Sequence, residues 1–426
     1  PSKPGFPYIQ EVAPRTGSVG DLITVKGINF GEDRKTGKVY FSAIRSHLEG
    51  GGGYSDLQQE ARYTRVNELD FDYVNWSENE IRIRVPDGAT SGNLFMETDK
   101  GKSNPIYFEV TEPVGTKILS TKRGYQAQYG VTVRNVVSRG GNELYFWLPK
   151  IYRTVNQNNM ENINSPDPYW DFSDQVFVYH FENIKEGETV RVSQTYWFDR
   201  YGLETKVNAA SVVQEYSESK LFNEYTQKTE YLPVDSEKIG KIIKNTVKWE
   251  TNPYLKAKLL FNYLLETMEY IDFVPTDSVI DALDYNKADS YVYSLLYTTM
   301  LRRSGVPARV NSGYIVYGDK KTRQHFWTEF YLEDFGWVPV DVALADGAEF
   351  EDLPFADDPS NFYFGNIDNQ HICTGKGEIN TIQIKPDNRK VHRDTIFPLM
   401  KSHEELSSSI QSYRTDWQKM RIIEWW

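Results

Sequence analysis

One stretch limits the choices for this chain more than any other. From Ser290 to Arg303, the residues Val292, Leu295, Leu296 and Met300, with Thr299 between them, recur at the spacing of one buried helix face. Asp289 and Ser290 both suit the start of a helix. Gly305 followed by Pro307 marks the end, a left-handed residue and then one that cannot continue the helix. Three extended runs follow, at 308–317, 324–332 and 336–341. The last two are joined by Glu333-Asp334-Phe335-Gly336, which has hairpin-turn chemistry. A helix N-terminus at Ser290, a histidine on one strand (His325) and an aspartate on the next (Asp341) can therefore converge.

Strand arithmetic adds a condition. A two-residue turn at Asp334-Phe335 would send His325 and Asp341 to opposite faces, because side chains alternate with period two. For the two to meet, the hairpin needs an odd-length loop or one bulge. Glu329 shares the face of His325 and suits a buried ion pair, for instance with Arg309.

The 426 residues are enough for two to four domains. A 39% hydrophobic share, with no apolar run near the ~20 residues of a membrane span, is that of a chain without such a span. The net charge of -12 argues against nucleic-acid binding. The 29 tyrosines and 10 tryptophans suit β-rich extracytoplasmic modules that touch peptides or glycans, although core packing is the commoner reason for them. With Cys373 as the one cysteine, no intrachain disulfide is possible and the redox compartment is not legible. The first residue is Pro1, which reads as a trimmed start with any signal or lipid-attachment segment removed. Six scattered histidines show no metal spacing, Gly50 to Gly53 lacks the lysine of a phosphate loop, and no Gly-x-Ser-x-Gly elbow surrounds Ser290. No metal and no cofactor are expected.

In chain order, residues 1–112 read as short strands (22–26, 38–41, 81–85, 93–97, 106–110) punctuated by Gly and Pro, with 46–75 as a long loop. After a linker at 111–115, residues 113–232 read as a second β-rich unit, with strands at 125–133, 142–148, 175–181, 189–197 and 206–213 and a polar loop at 152–171. From 233 the period turns helical: Ser236 caps one helix, and Thr251 with Pro253 starts another. The core unit ends near 398, and 399–426 reads as a C-terminal tail without a place.

Two resemblances follow from these residues. Gly305-Val306-Pro307-Ala308-Arg309, His325-Phe326-Trp327-Thr328-Glu329 and Gly336-Trp337-Val338-Pro339-Val340-Asp341, in this order behind a helix, resemble the transglutaminase-like superfamily of papain-related thiol enzymes. Two positions depart from that pattern: Ala288 stands where the family has Gly, and Ser290 where it has the nucleophilic Cys. Pro14, Gly17 and Gly20, the run Val25-Lys26-Gly27-Ile28-Asn29-Phe30-Gly31, and Val85-Pro86, Ser91-Gly92 and Ser103-Asn104 resemble an IPT/TIG immunoglobulin-like domain, a spacer or binding module. The implied architecture is multidomain: an N-terminal Ig-like β-sandwich (IPT/TIG), a second β-sandwich, and a C-terminal α+β transglutaminase-like papain-type core.

The resemblance implies acyl transfer from a glutamine or peptide amide to a thiol, then to water or an amine. His325 would be the base and Asp341 would hold its tautomer, with Trp327 and Tyr291 beside the substrate. A serine hydroxyl is far less acidic than a thiol of pKa ~8.5, so the chain as written is expected to be inactive. Three readings of Ser290 stand: an engineered replacement, a natural pseudoenzyme that binds peptide or glycan, or a working serine variant. Simpler roles stand beside each residue: Ser290 as a helix cap, His325 as an ordinary strand histidine, Asp341 as the start of a turn, and Trp327 as core. The expected partner is a peptide or protein substrate, or a glycan, outside the cytoplasm.

Overall fold

The computed structural model describes residues 5–44, 62–276, 278–351, 353, 358–378, 384, 389–392 and 402–426. Two antiparallel sheets come first. Tyr8–Ala13, Leu22–Ile28, Glu80–Arg84 and Tyr73–Trp76 form one; Ile106–Val110, Ala89–Thr98, Lys38–Ala43 and Tyr63–Arg65 form the body of the other. Alternation along them turns Ile23, Val25, Ile81 and Ile83 toward Val39, Phe41, Leu94 and Phe108, which form one apolar core. Within the expected long loop at 46–75, residues 46–61 lie outside the described residues, and the remainder holds two of these short strands.

A second pair of sheets follows. The long strands Gly115–Ser138 and Val190–Val207 pair antiparallel over most of their length, with Gln157–Ser165 on one edge and Ile410–Trp425 on the other. Glu143–Pro149, Val176–Glu182 and His403–Leu406 lie in the facing sheet, and the two share Val131, Val133, Phe146, Leu148, Tyr179 and Leu406 as core.

Three expectations change here. The Asn-rich 152–171 segment, expected as a loop, holds the strand Gln157–Ser165. As an edge strand with most residues exposed, it carries no apolar alternation to announce it. The expected strand at 206–213 is the end of Val190–Val207 followed by a 3₁₀ turn at Ala209–Ser211. Residues 399–426, expected as an unplaced tail, include two strands of this second unit; their partners Glu143–Pro149 and Gly115–Ser138 lie more than 250 residues upstream, and Arg389–His392, beside His403–Leu406, is the near one among the described residues.

The helical core sits between those C-terminal strands and the rest of the unit. Glu237–Val247, capped by Ser236, and Pro253–Thr267, capped by Asn252 rather than Thr251, pack on the central helix Ser290–Arg303. The central helix lies in turn on the antiparallel sheet Gly336–Val340, Lys321–Leu332, Ala308–Tyr317, His371–Lys376. Leu260, Leu264, Leu295, Leu296, Phe330 and Val338 share one core with Tyr125, Ala127, Tyr129 and Tyr196 of the second unit, so 232/233 is a change of pattern rather than a gap in packing. Among the described residues, no helix is long and apolar enough to cross a membrane.

Candidate functional site

The central helix starts one residue earlier in its capping than Ser290. The Asp289 carboxylate accepts the Val292 amide N–H at 3.0 Å, so Asp289 is the N-cap and Ser290 the first helical residue. Ser290 is half-buried at the positive end of the helix dipole. Every residue from Tyr291 to Arg302 is buried, which is why this helix shows only a weak polar face. In its first turn the Tyr291 ring meets Phe326 at 4.9 Å between centroids. Among the described residues, no hydrogen bond joins Ser290 to His325.

The hairpin resolves the parity condition. Leu332 stands opposite Gly336, with Glu333, Asp334 and Phe335 as a three-residue loop, and Asp334 and Gly336 take left-handed φ of 60° and 90°. Thr328 stands opposite Val340, so Asp341 falls on the same face as His325, two residues further along. His325 Nε2 and Asp341 Oδ2 are 2.5 Å apart, and both side chains are buried. That leaves Nδ1 of His325 as the nitrogen available to a nucleophile. Asp341 also serves the backbone, since its Oδ1 caps the short helix Val342–Ala345 by accepting the Leu344 N–H at 3.0 Å.

The same carboxylate oxygen meets a second ring. His371 Nε2 lies 3.0 Å from Asp341 Oδ2, and His371 Nδ1 lies 2.8 Å from Asp368 Oδ1. Burial works against charge on His371, but Asp368 and Asp341 outweigh it and raise the ring to about 9. Burial likewise pushes Asp341 up, yet His325 and His371 together hold it well below the usual carboxylate range. His325, Asp341 and His371 are of metal-ligand type, with donor atoms within 4.8 Å of one another. However, a ring set between two carboxylates is held best with a proton on each nitrogen, and an imidazolium has no lone pair to give a metal. In the sequence His371 reads only as part of the tail of the core. The Asp368-x-x-His371 spacing is the one signal there that could mark it.

Further along the same face lies a buried charge network. Arg309 donates from Nε to Glu329 at 2.6 Å and from Nη1 to Asp70 of the N-terminal unit at 2.6 Å, and its guanidinium sits 3.7 Å over the Trp337 ring. Lys376 and Asn311 complete the shell around Glu329. Burial favours the neutral acid, but Lys376 and Arg309 hold Glu329 down at about 2. The Arg309–Glu329 pair is the partnership expected from strand parity.

Trp327 and Tyr291, expected beside a substrate, are core side chains here, 3% and 2% exposed. Trp327 points to the polar face of the sheet, and that face is covered by Tyr152, Tyr201 and Leu203 of the second unit. Tyr291 is pressed onto Phe326 under the central helix. Cys373 is no substitute nucleophile: it is buried on a strand, and burial pushes its thiol up, away from the thiolate.

Residues 240–342 match the family model Transglut_core, the transglutaminase-like superfamily. No curated protein matches the chain. Among solved structures, a candidate cysteine protease from Cytophaga hutchinsonii is similar at 14% identity and TM-score 0.46, over 72% of this chain and 93% of that one. A structural-genomics protein of unknown function from Bacteroides thetaiotaomicron follows at 17% and 0.19, where the match spans 29% of this chain and 24% of that one. The periplasmic domain of TgpA from Pseudomonas aeruginosa is similar at 13% and 0.29, over 55% and 88%. At these scores none of the likenesses bears on activity. The helix, the hairpin and the motif residues they carry make residues 240–342 a transglutaminase-like superfamily domain within a mostly β-sheet multidomain chain.

Proposed function

We propose that this domain is a thiol-enzyme scaffold for acyl transfer on glutamine or peptide amides, with Ser290 at the nucleophile position, His325 as the base and Asp341 as its orienting acid, and that the chain as written does not turn over. The observation that carries the reading is the 2.5 Å His325–Asp341 contact, which the three-residue hairpin loop makes possible. In the thiol version, Nδ1 of His325 takes the proton from sulfur and the helix dipole favours the thiolate. The imidazolium then returns that proton to the leaving amine, and water or an amine releases the acyl group. Oxygen in place of sulfur removes the acidity this site is shaped for. The 1% exposure of His325 supports the same reading, since an open active site would leave the base in reach of substrate.

The N-terminal pair of sheets reads as an IPT/TIG-type spacer and the second unit as a β-sandwich; their shared two-sheet cores support this. We place the protein outside the cytoplasm on the same β-rich, aromatic composition. The deciding assay follows hydrolysis and amine transfer on peptide and glutamine amides. No turnover is expected from this chain, and turnover that Ser290→Ala abolishes would make Ser290 a working nucleophile.

A further inference from the structure

We propose that His371 is a positioning residue for this site: its ring, clamped between Asp368 and Asp341, fixes the carboxylate oxygen that faces His325. This rests on the roles given above to Ser290, His325 and Asp341. The Asp341 carboxylate is held from three sides. Leu344 N–H reaches Oδ1 at 3.0 Å, while His371 Nε2 and His325 Nε2 reach Oδ2 at 3.0 and 2.5 Å. His371 is itself pinned, because Asp368 Oδ1 lies 2.8 Å from its Nδ1 and also accepts the Gln370 N–H at 2.8 Å. The other Asp368 oxygen accepts the Tyr363 hydroxyl at 2.9 Å.

Among the described residues, the ring is faced from two directions. Asp341, His325 and Trp327 face it from the hairpin, and Tyr363 and Asp368 from the segment before its own strand. From the second unit, Arg200 donates to the His371 carbonyl and the Tyr125 hydroxyl donates to the Asn369 carbonyl. Two carboxylates on two nitrogens satisfy a ring that carries both protons. Asp341 therefore divides its charge between two rings. A cation fixed behind it keeps the oxygen in place while offsetting part of the pull that a lone carboxylate would exert on His325.

The test uses the full chain with Ser290→Cys, and follows iodoacetamide alkylation of the introduced thiol from about pH 5 to about pH 9. His371→Gln and the isosteric Asp368→Asn are each expected to slow it at least about tenfold at neutral pH. Each should also move the profile to higher pH, because a His325 ring that Asp341 no longer holds in place takes the thiol proton less readily. Should His371→Gln fail to fold, Asp368→Asn decides. An unchanged rate and profile in the folded variants overturns the proposal. Long-range ¹H–¹⁵N spectra of the unaltered chain give a readout independent of the thiol: both His371 nitrogens are expected in the imidazolium position at neutral pH, and a split neutral pattern also overturns it. If Ser290→Cys is alkylated no faster than Cys373, the nucleophile reading fails, and the spectra still decide the state of His371.

Discussion

Asp70 Oδ1 lies 2.6 Å from Arg309 Nη1, tying the N-terminal unit to the strand that leaves the central helix, with the arginine fully buried. Trp337 Nε1 reaches the same oxygen at 3.0 Å. Removing one partner of such a pair leaves the other charge in a dry site. Asp70→Ala is therefore expected to cost about 3–5 kcal/mol in urea unfolding, and a loss under about 1 kcal/mol would show that the tie is not structural.

Ser290→Cys should restore a reactive thiol. With the helix dipole at its side and His325 as the proposed base, iodoacetamide should modify the new residue faster than buried Cys373 at neutral pH. Equal rates would mean the site no longer activates a nucleophile.

His371 makes stability depend on alkaline pH. Its folded pKa, about 9, stands above the ordinary value of 6.5. The stabilisation is therefore fully present below about 6.5 and is lost as pH rises through about 9, on the order of 3 kcal/mol in all. Thermal melts between about pH 6 and about pH 10 should show this fall. In His371→Gln the slope should flatten; a retained slope would place its origin in another group.

Removal of residues 399–426 should leave no folded monomer. It strips Ile410–Trp425 from Gly115–Ser138 and takes Leu406, Ile410, Met420 and Ile422 out of two cores, exposing a long unpaired edge. Size-exclusion chromatography of the truncated chain decides it: a monomer with native near-UV dichroism would contradict the expectation.

The parts legible in the sequence were those whose cause is local. The helix Ser290–Arg303 was readable because Val292, Leu295, Leu296 and Met300 share a face and Gly305 and Pro307 end it. The His325–Asp341 contact could be stated as a parity condition, and the left-handed Asp334 and Gly336 supply the odd loop it required. What stayed hidden has distant or featureless causes. Gln157–Ser165 is a strand only because Val190–Val207 lies beside it. His371 is 30 residues from Asp341, and the Asp368-x-x-His371 spacing, its one local signal, does not point to that partner. Trp327 could be read as core or as a binding platform, and the second unit that covers it, invisible in the sequence, makes it core.

The pairing of Ile410–Trp425 with Gly115–Ser138 also sets an order of events. Ser138 hydrogen-bonds to Ser409 across 271 positions, so the helical core is an insertion threaded between two partners of one sheet. At about 5–20 residues per second of synthesis, the first strand waits roughly 15–55 seconds for its neighbour. During that wait its edge stands open and the core emerges first. This chain should consequently fold from the inside outward, the inserted domain acting as the nucleus on which the surrounding sheet closes last. Its late step should be the slow closure expected of a long-range β pairing.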